Sequence, residues 1–86
     1  MLVNIIKKYT QNITKYDINK YALSNNHKLK DREIDIIYSE LHNNIDSLIN
    51  NTDYEINKIK DKLEPTTYLK IIELINFYKE KYKDYL

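Results

Sequence analysis

The stretch Ile13-Thr14-Lys15-Tyr16-Asp17-Ile18 sets the fold class, because it carries a helix start written in local chemistry. Thr14 is placed to accept a backbone N–H from the first turn. Asp17, three residues on, is placed to return the bond to the Thr14 N–H, and Ile13 and Ile18 stand as the apolar pair that brackets such a cap. A helix therefore starts near Lys15, with Ile18, Tyr21 and Ala22 on its buried face, and ends in the turn-forming run Ser24-Asn25-Asn26.

Working outward, the apolar residues recur at three and four. Leu2, Ile5, Ile6, Tyr9 and Ile13 form one stripe of a helix over about residues 2–12. On the C-terminal side, Leu29 and Ile34 flank Lys30-Asp31-Arg32-Glu33. Lys30 is a poor cap, but Glu33 is spaced to reach back to it, and Asp31 and Glu33 put negative charge at the amide-rich end. Ile34, Ile37, Tyr38 and Leu41 carry that helix to about His42. Ile45 to Ile49, between asparagine pairs, reads as a short helical turn plugging one end of the core. Thr52 and Glu55 repeat the capping pattern ahead of Ile56, Ile59 and Leu63. Pro65 marks a break, and Thr66 is placed to cap a last helix over about 66–84. That helix is apolar on more than one face, which makes it either the central helix or a partly exposed surface. Isoleucines favour strands by propensity, yet no alternating runs separated by a tight turn occur. The expectation is an all-α, compact bundle of four or five short helices, one domain over residues 1–86, with the last helix packed on the first three.

Composition narrows the functions. The 86 residues contain no cysteine, no glycine and one proline, so disulfides, thiolate metal sites and glycine-rich phosphate loops are excluded together. Ile, Lys, Asn and Tyr dominate, as AT-rich coding would give, so asparagine and tyrosine weigh little as functional clues. Many of the nine tyrosines suit the core edge with the hydroxyl in water. The N-terminus lacks the apolar run and small-residue cleavage site of a signal peptide, and no apolar stretch approaches the roughly 20 residues needed to cross a bilayer. A cytoplasmic location is the expectation.

Charge is near balance, at formal +1, but unevenly placed: +5 over residues 1–30, −5 over 31–64 and +1 over 65–86. Mutual neutralisation across the fold is the plainer explanation. The sharper one is nucleic-acid binding through a basic patch of Lys7, Lys8, Lys15, Lys20, Lys28 and Lys30. Helices near 15–24 and 31–42 resemble a helix-turn-helix in outline, but Asp31, Glu33 and Asp35 at the start of the second would repel phosphate, and the turn is long. His27 and His42 lack metal-ligand spacing; His42 is placed to meet helix-terminal carbonyls. No serine has a catalytic neighbourhood and paired acids such as Asp31 and Asp35 read as solvated surface. We therefore expect no enzyme, no catalytic residues, no cofactor, no metal and no small-molecule ligand. Partner binding is the surviving class. Leu74, Tyr78, Tyr82 and Tyr85 extend the last apolar stripe and are the expected interface, for an unknown protein or for a second copy of the chain.

The order of these signals resembles the YqfT-like group, short proteins of low-GC Gram-positive bacteria. The likeness rests on the first amphipathic helix, Ile13 to Ile18 leading into Lys20-Tyr21-Ala22, the turn Leu29-Lys30-Asp31-Arg32-Glu33, and the last helix behind Pro65-Thr66. Lys30 stands where that pattern has a Ser or Thr cap. The resemblance implies a small cytoplasmic helical domain and brings no activity with it.

Overall fold

The computed structural model describes residues 2–81. Among them are six α-helices and no strand: α1 (Leu2–Gln11), α2 (Lys15–Ser24), α3 (Asp31–Asn43), α4 (Ile45–Asn50), α5 (Thr52–Ile59) and α6 (Pro65–Lys81), with a 3-10 turn at Lys60–Lys62 before α6. The all-α bundle is thus as the sequence indicates, with Ile45–Asn50 a helix in its own right.

The start of α2 follows its local chemistry. The Asp17 N–H donates to Thr14 Oγ1 at 3.1 Å and the Thr14 N–H to Asp17 Oδ2 at 2.9 Å. That backbone bond from Thr14 holds the Asp17 carboxyl below its usual range. Ile18 is buried behind the cap. The end of α2 closes with the Asn26 N–H on the Leu23 carbonyl and the His27 N–H on the Ala22 carbonyl. This double bond pattern requires a left-handed residue, and Asn26, at φ 59°, supplies it in a chain without glycine.

Two helix starts depart from the expected caps. Thr52 is the first residue of α5 and does not cap it. Its hydroxyl donates backward to the Leu48 carbonyl at 2.6 Å, sealing the end of α4, while Glu55 is drawn into the interior. The reason is the single-residue joint at Asn51, which brings the carbonyls ending α4 within reach of the first side chain of α5. Likewise α6 begins at Pro65, not behind a Thr66 cap: the Tyr68 N–H donates to the Glu64 carbonyl. Proline is well suited to a first helical position, where its missing N–H leaves no partner unsatisfied.

The core is built on α5. Ile56, Ile59 and Leu63 are buried, and Ile36 of α3, Leu48 of α4 and Tyr68, Ile71, Ile72 and Ile75 of α6 pack around them. α1 packs on α3 and α4, and α2 on α3. The last helix is therefore not central. Its apolar cluster lies chiefly on α5, and Thr67 is its only buried residue among those described.

Candidate functional site

α1 meets α3 and α4 with Thr10 buried and Ile6 and Lys7 half-buried, so of the stripe expected to face inward Ile6 and Ile13 are half-buried while Ile5 and Tyr9 turn outward. Ile5 and Tyr9 are exposed, Tyr9 by 71%. Both faces of this helix carry apolar residues, and the smaller Thr10 permits the closer approach. On α2, Tyr21, expected in the core, is also exposed.

The Tyr21 side chain meets the end of α6. The Tyr21 and Tyr78 hydroxyls lie 3.4 Å apart, and this contact, with partial burial, raises the Tyr21 phenol above its ordinary range, Tyr9 adding a smaller push. The Phe77 ring stands edge-on to Tyr78 with centroids 5.3 Å apart, and Phe77 is 59% exposed. Tyr21, Phe77 and Tyr78 thus join α2 and α6 in one aromatic face, and Tyr9 of α1 lies near enough to Tyr21 to act on it. Of the residues expected at the interface, Tyr78 lies in it and Leu74 is half-buried beside it in sequence. Tyr82 and Tyr85 lie outside the described residues. The contributions of Tyr9 and Tyr21 were hidden in the sequence, where their spacing matches the core stripes.

Three of the six lysines of the expected patch are engaged with carboxylates of the acidic segment. Lys7 Nζ is 3.1 Å from Asp46, Lys15 Nζ 2.8 Å from Asp35 and Lys30 Nζ 2.6 Å from Glu64. Lys8, Lys20 and Lys28 are exposed. Each pair joins the basic first third to the acidic middle, so the two segments neutralise one another.

The interior holds more chemistry than its surface. Glu33 is 1% exposed. Its Oε1 accepts the Lys30 N–H and its Oε2 the Glu64 N–H, each at 3.0 Å, and the Thr67 hydroxyl donates to it as well. Burial alone would push this carboxyl up. The donors from Lys30, Thr67 and Glu64, with the Arg32 charge, outweigh burial and hold it below the usual range. His27 Nε2 lies 2.7 Å from Thr67 Oγ1, which ties the turn after α2 to the start of α6. One carboxylate thus clamps the starts of α3 and α6 and the turn after α2. Arg32 reinforces the seam from outside, with bonds to the Lys62 carbonyl at 2.6 Å and to Glu64 at 2.8 Å. His42 donates from Nε2 to the Ile13 carbonyl at 2.7 Å, tying α3 to the α1–α2 joint rather than to its own helix end. A second pair of buried acids, Glu40 and Glu55, lies between α3 and α5.

Among the described residues no group of three or more His, Asp or Glu side chains is placed to hold a metal ion, and no helix is long and apolar enough to cross a membrane. An open groove of about 580 Å³ runs along Ile49–Tyr54 and Lys79. Set against known protein families, curated proteins and solved structures, the chain matches none of them.

Proposed function

We propose that this protein is a non-enzymatic interaction module of the cytoplasm, which docks a protein partner or a second copy of itself on the aromatic face formed by Tyr9, Tyr21, Phe77 and Tyr78. The observation that carries this reading is the meeting of exposed aromatic side chains of α2 and α6 at one place, with the exposed Tyr9 of α1 near enough to act on Tyr21. Large aromatic rings left in water are the usual anchors of protein interfaces, since they bury much area at low side-chain entropy cost. The buried carboxylates, by contrast, bind helix termini and neighbouring side chains, which is structural employment. A cysteine-free chain suits a reducing compartment.

The test is sedimentation velocity of the whole chain, alongside retention of host proteins on immobilised wild type and on Phe77→Ser and Tyr9→Ser variants. Both positions are well exposed, so the variants keep the fold. The proposal expects either self-association or a specific retained protein, lost in both variants. A strict monomer whose retained proteins are the same for all three chains would refute it.

A further inference from the structure

Glu40 of α3 and Glu55 of α5 are 7% and 3% exposed. Asn44 Nδ2 donates to Glu40 Oε1 at 3.0 Å, and Ser47 of α4 bonds Glu55. Lys58 Nζ lies 3.1 Å from Glu55 Oε1 and 2.9 Å from Oε2, the second approach lacking hydrogen-bond alignment. Two buried side-chain atoms among the described residues have no hydrogen-bond donor or acceptor of the ordinary kind, and they are Glu40 Oε2 and Glu55 Oε2. The two carboxyl groups are themselves within hydrogen-bonding contact. Fully ionised, the pair would place two negative charges against one ammonium in a water-poor interior. A single proton between the two oxygens removes the repulsion and satisfies both atoms at once.

We propose that Glu40 and Glu55, whose buried Oε2 atoms have no other hydrogen-bond partner, share one proton carried on Glu40, and that this proton latches α4 between α3 and α5. The first turn of α4 depends on the pair: Asn44, just before it, binds Glu40, and Ser47 within it binds Glu55. Of the charged groups on the surrounding elements, Lys58 of α5 acts on both acids. Asp46 of α4 and Lys7 of α1 are engaged with each other, and His42 of α3 with the Ile13 carbonyl.

Burial, with the Glu55 carboxylate beside it, raises the Glu40 carboxyl; the Lys58 ammonium and Ser47 hydroxyl lower that of Glu55. The pair titrates as a unit. A raised folded value means that the Glu40 contribution is complete below the ordinary glutamate range and is lost as pH rises through the folded value. A lowered one means that the Glu55 contribution is complete above that range and is lost as pH falls through it. The latch therefore holds between the two and opens on either side, and on the alkaline side the opening constant of α4 grows by up to about tenfold per pH unit from the ordinary glutamate range up to the Glu40 midpoint and levels off above it.

Carboxyl-carbon NMR of the glutamate-labelled full chain, with amide hydrogen exchange over residues 44–51, tests this. The wild type is expected to show a Glu40 midpoint above that of the exposed glutamates, with exchange in α4, corrected for its intrinsic pH dependence, accelerating up to that midpoint and levelling off above it. Glu40→Gln, which donates to Glu55 at every pH, is expected to hold exchange slow through the same range. A Glu40 midpoint among those of the exposed glutamates overturns the proposal and needs no variant. So does α4 exchange that ignores the midpoint, or a Glu40→Gln profile that follows the wild type.

Discussion

Replacing Glu33 with glutamine changes one atom in a side chain that is 1% exposed, yet the structure assigns it a large cost. Three donors converge on the carboxylate: the Lys30 N–H, the Glu64 N–H and the Thr67 hydroxyl. The amide retains one oxygen and turns an NH2 toward a donor. One buried N–H or O–H then loses its acceptor, and the remaining bonds fall from charge-assisted to neutral strength. Hydrogen bonds to a charged acceptor contribute about 1.5–3 kcal/mol against about 1 for neutral ones, so Glu33→Gln should lose about 2–4 kcal/mol. Domains of this length have about 4–13 kcal/mol in total, so the variant should fold with a markedly lower urea midpoint and an unchanged slope when followed by circular dichroism. The pH dependence identifies the cause. The Glu33 carboxyl is held below its ordinary range, so its contribution is present above the unfolded value and is lost as pH falls through the folded one. The gap between wild type and variant should therefore shrink in acid. A loss under about 0.5 kcal/mol at neutral pH, the scale of an inconsequential surface change, or a gap that stays constant into acid, would refute the clamp.

Three further outcomes follow from the packing and the helix ends. Ile56, at 3% exposure the most buried apolar residue of the core, should cost about 2–5 kcal/mol on change to alanine, whereas Phe77→Ser should stay within about 0.5 kcal/mol, both read from urea midpoints. Thr14→Ala removes the acceptor for the Asp17 N–H and should cost about 1 kcal/mol, visible also as faster amide exchange in the first turn of α2. Asn26→Ala, at φ 59°, should cost about 1 kcal/mol and Asn26→Gly should be neutral or stabilising, as thermal melting of the pair will show.

What could be read in the sequence was what acts over one helical turn. Thr14 and Asp17 are three residues apart and need nothing else to cap α2, so their roles were plain. Glu33 was half legible: its reach to Lys30 is local, but its second grip, on the Glu64 N–H, spans 31 residues and depends on how α6 is laid down. Thr52 and Glu55 show the limit from the other side. Their spacing satisfies the capping pattern, yet the interior claims Glu55, and the Leu48 carbonyl four residues back, an equally local acceptor, claims the Thr52 hydroxyl. Tyr9 and Tyr21 eluded the reading for a geometric reason. Periodicity shows that apolar residues share a face and does not show which of two apolar faces is covered. On α1 the half-buried Ile6 and the buried Thr10 took the inner side and left Tyr9 outside. The aromatic face was consequently legible only at Tyr78, the one member that the last helix's own stripe disclosed.

The claim that this face is a docking surface is tested most directly by a photo-crosslinking amino acid placed at position 77 in the host cell, with Asp61, exposed on the 3-10 turn, as the control position. The face predicts a discrete protein adduct, a second copy of the chain or a distinct partner, at 77 and not at 61, which Tyr9→Ser removes. No adduct at 77, or the same adducts at both positions, would contradict it.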